Sequence, residues 1–254
     1  MLRRRIIPFL LIDKNSDCIK TTNFQDRKYI GDIFNNIRIF NEKGVDEIVV
    51  LDIDASQNVQ KPNFKLIEKI ASVCRMPITY GGGVFNVEVA KKIIGFGVEK
   101  ISLNNAALNN INLVKEISSE IGSQSLSISI NIMKSDNGFN IVNNNKDKVD
   151  INLIDYIKNI QKNGAGEIIL NSVIDDGSMK GYDLDILNNF QKFVKVPSIL
   201  IGGCSGYNDI KKLFTNYENT AAGGSSIFIY KGKLKAVLIN YPSETERNEI
   251  NNNL

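Results

Sequence analysis

Short apolar runs alternate along the chain with segments in which apolar residues recur at helical spacing, a pattern that predicts repeating strand–helix units. The predicted strands are residues 5–12, 47–53, 78–80, 100–103, 126–131, 168–170, 198–201 and, more weakly, 220–223. The predicted helices are residues 32–42, 64–73, 87–94, 113–121, 153–163, 184–193 and 209–214. Because this alternation favours a parallel sheet, we expect one α/β domain over residues 1–254, a (β/α)8 TIM barrel.

Three segments depart from the alternation. Residues 13–31 predict a long polar connection, and the Asn-rich residues 135–150 predict a small hairpin above the barrel. Residues 233–241 lack a helical period and are followed by Pro242. The polar residues 243–254 are therefore expected to form a frayed tail.

Two glycine-ended strand motifs recur at a fixed offset. The sequence PITYGGG begins at Pro77, and PSILIGG begins 120 residues later at Pro197. The same offset relates the segments that begin at Gly44 and Gly164. A period near half the chain predicts two fused half-barrels. A glycine turn between strand and helix also presents N–H groups to a phosphate, although such glycines serve equally as plain turns.

Composition excludes several classes of function. A net charge of +3 is too small to indicate nucleic acid. The absence of histidine excludes Ser-His and Cys-His pairs and leaves poor ligands for zinc, so we expect no metal and no cofactor. Three cysteines without a C-x-x-C motif indicate a reduced, cytoplasmic protein. Residues 1–5 are basic, but no signal peptide or membrane span follows, so no membrane partner is expected.

Polar residues gather where predicted strands end, which is the active face of such barrels. The mouth, meaning this carboxyl face, is expected to hold Asp52, Asp54, residues 81–83, Asn104, Asn105, Asn131, residues 175–177, Gly202, Gly203 and residues 223–225. The two glycine cradles there would suit an elongated bis-phosphate. The alternative is a rim of ordinary turn residues.

Four charged residues begin otherwise apolar strands at the opposite end, the floor. They are Arg5, Glu47, Lys100 and Glu167. Strand alternation turns Arg5 and Glu47 toward the same face as the inward residues that follow them, so the four could close a neutral ring. From the residues alone, a structural plug of ion pairs is the favoured interpretation.

Residues 1–230 resemble the cyclase subunit of imidazole glycerol phosphate synthase, which acts in histidine biosynthesis. The resemblance rests on Arg5–Pro8, Lys20, Asn23–Phe24, Leu51–Ile53, Ala55–Ser56, Gly81–Gly83, Ser102, Asn104, Ala106–Ala107, Gly122–Gln124, Gly164–Ile168, Asp176–Gly177 and Gly181–Asp183. It implies a glutaminase partner on the floor, with ammonia passing through the barrel to the mouth. It also implies an ammonia gate formed by Arg5, Glu47, Lys100 and Glu167, and phosphate-binding residues at Gly82, Gly83, Asn104, Gly202, Gly203, Gly224 and Ser225.

The chain departs from that family at the two acid/base positions. Where the resemblance implies aspartates at the ends of strands 1 and 5, this sequence has Leu11 and Asn131. Leucine cannot transfer a proton, and asparagine has no titratable group. Asp13 lies two residues past Leu11 and would replace the acid only after a register slip.

The sequence lacks both acids but retains the glycine cradles and the four gate residues. In this combination it resembles the divergent cyclase-like subunits linked to sugar amidation in surface-polysaccharide clusters. The implied partners are a glutaminase and a separate nucleotide-sugar amidotransferase, with a phosphorylated ligand a further candidate. One alternative is an active cyclase–lyase that uses Asp13, Asp52 or Asp176. Another is a scaffold that only activates its glutaminase.

Overall fold

Eight parallel strands close into a barrel in the computed structural model, which describes residues 4–57, 60–136, 138–232 and 234–252. The strands are β1 (Ile6–Ile12), β2 (Ile48–Asp52), β3 (Ile78–Gly81), β4 (Lys100–Leu103), β5 (Leu126–Ser135), β6 (Glu167–Ser172), β7 (Ser198–Ile201) and β8 (Thr220–Gly224). Each strand pairs with the next, and β8 pairs with β1, with Ala222 opposite Ile6. The predicted (β/α)8 barrel is confirmed.

Within the described residues, eight helices of six or more residues follow these strands. They are α1 (Ile33–Glu42), α2 (Phe64–Val73), α3 (Val87–Gly95), α4 (Ile111–Ile121), α5 (Leu153–Lys162), α6 (Asp185–Phe190), α7 (Tyr207–Asn216) and α8 (Glu244–Asn252). Side chains at the N-caps fix several of the starts: Asp32 accepts from the N–H of Asn35, and Asn86 accepts from that of Val89. Short helices lie at Ile53–Gln57, Asn105–Asn109 and Ser226–Ile229.

Two apolar layers hold the barrel together. The larger layer lies between strands and helices, and the smaller one fills the barrel interior. The interior cluster consists of Ile7, Phe9, Val49, Ile169, Ile199 and Ala221. This division follows from strand alternation, since successive residues of a barrel strand face the interior and the helices in turn.

The segment at 13–31, predicted as a long polar connection, forms an antiparallel hairpin. Its strands are Asp17–Thr22 and Gln25–Asp32, and the first of them continues the sheet by pairing with β1. Asn23 and Phe24 turn the chain with φ values of 49° and 61°, a conformation that polar sequence alone does not reveal. We call this segment the lid hairpin. The second hairpin, predicted within 135–150, is confirmed by the pairing of Gly138–Ile141 with β5.

The predicted frayed tail is wrong for residues 244–252, which form helix α8 and pack against α7. Buried Ile250 and Arg247 anchor it, since the Arg247 guanidinium donates to the carbonyl of Gly44 at 3.0 Å. Residues 253–254 lie outside the described part of the chain. Before α8, the predicted irregular stretch contains the short strand Ala236–Val237, which pairs with Tyr230–Lys231.

No helix within the described ranges has both the length and the apolar character needed to cross a bilayer.

Candidate functional site

The four floor charges meet across the amino end of the barrel, as the sequence predicts. Arg5 reaches both carboxylates, with Nη1 at 2.5 Å from Glu47 and Nη2 at 2.6 Å from Glu167. The Lys100 ammonium also bridges both, at 3.1 Å and 3.3 Å. Each cation therefore touches each anion, and we call this set the floor ring.

Burial and charge act in opposite directions within the floor ring. Burial alone would raise the pKa of Glu167, but Arg5 and Lys100 outweigh it and hold that pKa below its ordinary value of 4.5. Burial would likewise lower the pKa of Arg5, yet the two carboxylates raise it. Both effects favour the ionised forms of Glu167 and Arg5, so the ion pair between these two residues is retained near neutral pH.

Hydroxyl groups extend from the floor ring along one wall of the interior. Thr79 donates to Glu47 at 3.0 Å, and Ser127 donates to Glu167 at 2.8 Å. Ser102 and Ser129 continue the same wall and line the mouth cavity. The facing wall is the apolar interior cluster. The interior between floor and mouth is thus lined by hydroxyl groups on one side and by apolar side chains on the other.

A cavity of about 160 Å³ opens at the mouth and contains both positions at which the family resemblance implies acids. Leu11 lines it with an aliphatic side chain. Asn131 is 3% exposed and fixed at both ends of its amide. Its oxygen accepts from Asn171 at 3.0 Å, and its nitrogen donates to Asn144 at 3.2 Å. These contacts satisfy both ends of the Asn131 amide, a group that has no titratable proton.

The three aspartates considered as replacement acids are all bound to other groups. Asp13 accepts from the N–H groups of Asn15 and Asp17, and it is absent from the residues that line the mouth cavity. Asp52 caps the short helix that follows β2 through the N–H of Ala55 at 2.8 Å. Burial raises the pKa of Asp52.

The third of these aspartates, Asp176, forms an ion pair inside the cavity. Its carboxylate lies 3.0 Å from the ammonium of Lys20, which is 3% exposed, and it also accepts from the hydroxyl of Thr21. Lys20 and Thr21 belong to the lid hairpin, so this pair ties the lid to the loop after β6. Asp176 is the acid among these three that both lines the cavity and has a titratable partner there.

The two predicted phosphate cradles both lie at the mouth, but they line separate spaces. Gly82, Gly83 and Asn104 line the main cavity. Gly202, Gly203 and Gly224 line a smaller cavity of about 20 Å³. Ser225 and Asp176 line both. The loop after β6, through Asp176, Gly177 and Met179, thus closes around the second cradle, whose free volume is near that of one water molecule.

The glycines are required by the backbone itself. A Cβ at Gly82, where φ is +120°, would lie 2.2 Å from the carbonyl oxygen of Asp52. At Gly202, 120 residues later with φ +103°, it would lie 2.5 Å from that of Ser172. Because Ser172 is itself 120 residues beyond Asp52, the half-barrel repeat holds for this close contact as well as for the sequence.

Three buried polar atoms beside the cradles have no hydrogen-bond partner within the described residues: Asn104 Oδ1, Asn105 Oδ1 and Ser225 Oγ. The amide nitrogen of Asn104 is already held by the carbonyl of Ser129 at 2.8 Å. Its free oxygen is an acceptor, which suits a donor such as water, ammonia or a ligand hydroxyl rather than a phosphate oxygen.

Comparison with known proteins agrees with this architecture. A family model described as "Histidine biosynthesis protein" matches residues 5–235. The chain belongs to this family. Among its relatives, a protein of Vibrio vulnificus with the provisional name imidazole glycerol phosphate synthase subunit hisF3 is 44% identical over 252 residues, covering 97% of this chain and 96% of that protein. A similarly named hisF2 subunit of Pseudomonas aeruginosa is 43% identical, covering 95% and 97%.

A relative whose name is not provisional is less similar in sequence. The imidazole glycerol phosphate synthase subunit HisF of Lactococcus lactis is 35% identical, covering 91% of this chain and 90% of that protein. The chain is thus a HisF-like barrel of the histidine biosynthesis family.

Within this family member, sequence reasoning located the floor ring and most of the mouth but missed the lid's contribution. Phe24 and Arg27 of the lid hairpin line the cavity beside Lys20 and Thr21. Lys20 and Phe24 carry part of the family resemblance, which is the signal that pointed toward this segment. No sequence signal indicated the ion pair between Arg27 and Asp54, whose side chains lie 2.7 Å apart.

Proposed function

We propose that this HisF-like barrel conducts ammonia from a glutaminase docked on its floor to a nucleotide-sugar amidotransferase, and performs no cyclase chemistry itself. The sugar would belong to surface-polysaccharide biosynthesis. The observation that carries the proposal is the mouth, where Leu11 and an amide-locked Asn131 occupy the acid positions while the floor ring is intact.

The interior supports conduction of a small neutral molecule. Ammonia can donate to and accept from hydroxyl groups, so the wall of Thr79, Ser127, Ser102 and Ser129 offers it successive partners. Ammonium is disfavoured on this path, because an ion would lose its hydration against the apolar wall. The floor ring then remains as the barrier that must open.

Cyclase turnover tests the proposal directly. Purified protein supplied with ammonium and the phosphoribulosyl substrate should form no imidazole product above buffer, because neither Leu11 nor Asn131 can transfer a proton. The double variant Leu11→Asp with Asn131→Asp is the matched positive control and should recover a trace. Clear turnover by the unmodified protein would overturn the proposal.

The second candidate is an active cyclase–lyase, and the Lys20–Asp176 pair is the observation in its favour, since it places a titratable pair in the cavity. If that pair performs the chemistry, Asp176→Asn should abolish turnover that the unmodified protein displays. Under the conduit proposal, there is no turnover for Asp176→Asn to remove.

A further inference from the structure

After β8 and its short helix, the chain projects a small hairpin at the mouth side of the barrel. Tyr230–Lys231 pairs with Ala236–Val237. Where the chain returns, the N–H of Leu238 donates to the carbonyl of Ile229 at 2.8 Å. The hairpin exposes aliphatic side chains: Leu234 is 95% exposed, Leu238 53% and Val237 45%.

This hairpin adjoins the lid. The ammonium of Lys28, on the second lid strand, lies 5.2 Å from the centroid of the Tyr230 ring. The neighbouring Arg27 lines the mouth cavity. A surface defined by Leu234, Val237 and Leu238, here called the rim surface, therefore lies next to the lid strand that borders the cavity.

The rim surface holds three of the seven large apolar side chains that are exposed among the described residues. A two-stranded hairpin with two residue pairs is marginal in water unless its apolar side is covered. Clustered exposed apolar side chains typically mark a site of interaction. Both arguments indicate that the apolar side of this hairpin binds another protein surface.

We propose that the rim surface docks the enzyme that consumes the ammonia, the amidotransferase. The inference rests on the proposed function, because a conduit that ends at the mouth needs its acceptor beside the mouth. Residues 230–238 contain three lysines and no acidic residue. The matching surface of the amidotransferase is thus expected to be an apolar recess with an acidic border. A second copy of this hairpin would instead oppose lysine with lysine.

Docking is tested by Leu234→Asp and Leu238→Asp in a reconstituted system of this chain, its glutaminase and its sugar amidotransferase. Ile151→Asp, at a residue that is 38% exposed near the start of α5, is the matched control. Glutamine-fed amidation should fall at least tenfold in the two rim variants and stay unchanged in the control. Ammonium-fed amidation and binding of the glutaminase should be unchanged in all three. Raising salt should weaken the complex of the unmodified chain with the amidotransferase.

The outcomes separate the two levels of the proposal. If the unmodified chain supports no glutamine-fed amidation, the proposed function fails. If it does and both rim variants match it, the docking inference fails alone. If the chain by itself forms a dimer that Leu234→Asp dissociates, the rim surface binds a second copy, and the inference is likewise overturned.

Discussion

Lys100 is the member of the floor ring with the greatest freedom to move, because its ammonium ends a flexible four-carbon stem. It touches Glu47 and Glu167 at 3.1 Å and 3.3 Å, whereas Arg5 holds the same carboxylates more closely. In the proposed conduit, a passage through the ring would therefore open by movement of Lys100 while Arg5 keeps the two carboxylates paired.

Replacing Lys100 with Met keeps the bulk and removes the charge. Glutamine-fed amidation should fall sharply, while ammonium-fed amidation stays nearly unchanged, because external ammonia does not cross the floor. Loss of a buried partner should also lower the free energy of unfolding, by at most about 3–5 kcal/mol. Lys91→Met is the control, since its partner Glu120 is exposed. Equal loss from both nitrogen sources at matched folded protein would indicate a structural plug.

The carboxylate of Glu167 makes stability depend on pH. Because its pKa in the folded protein lies below the ordinary 4.5, the ionised form stabilises the fold above that pH. This contribution is lost as the pH falls through the lowered folded-state pKa. The difference in unfolding free energy between the unmodified chain and Glu167→Gln should thus be greatest near neutral pH and shrink in acid, as urea titrations would measure. Glu120→Gln, at an exposed pair, should show a much smaller difference.

At the scale of elements, α8 replaces the expected frayed tail with a specific clasp. Arg247 is 7% exposed and donates through Nη1 to the carbonyls of Gly44, Pro242 and Lys43. Its guanidinium also lies 5.3 Å from the centroid of the Tyr241 ring. The clasp ties the end of the chain to the loop between α1 and β2.

Truncation of that side chain should therefore destabilise the whole barrel. Arg247→Ala should cost about 1.5–3 kcal/mol in unfolding free energy, the usual scale for hydrogen bonds from a charged group. Lys211→Ala, an exposed lysine on α7, should change it little. Denaturant titration measures both. Identical midpoints for the two variants would mean that α8 contributes nothing to global stability.

Periodicity predicted the barrel elements because their apolar faces are long: α2 begins at Phe64 and ends at Val73, as expected from the sequence. It failed for the lid, whose turn depends on positive φ values at Asn23 and Phe24 rather than on apolar spacing. It failed for α8 because burial there rests on few residues, among them Ile250 and a polar Arg247. The floor ring was predictable, since strand alternation alone turns its four members inward. That Asp13 accepts hydrogen bonds from N–H groups of its own turn was visible only in three dimensions.

At the scale of the whole molecule, the two ends of the barrel have different proposed partners. The floor carries the charged ring and the exposed loops before each strand, and the mouth carries the cavity, the lid and the rim surface. A glutaminase on the floor and an acceptor at the mouth would bind independently, which makes their separation measurable.

A paired charge reversal at each end tests this orientation while leaving the net charge unaltered. Lys43→Glu with Glu99→Lys changes exposed floor residues and should abolish co-purification with the glutaminase. Lys180→Glu with Asp136→Lys changes exposed mouth residues and should leave that complex intact. The reverse result would place the glutaminase at the mouth and contradict the proposed path.

The hydroxyl of Tyr241 donates to the carbonyl of Ile6 at 2.8 Å across 235 residues of chain. Pairs so distant in sequence form late, because the entropy of closing the loop is spent before the contact is gained. The pairing of β8 with β1, which sets Ala222 opposite Ile6, spans a similar length of chain, and until it forms both strands have free edges that can pair wrongly with other chains. The bond from Tyr241 to Ile6 therefore reinforces β1 at the seam whose closure removes both free edges.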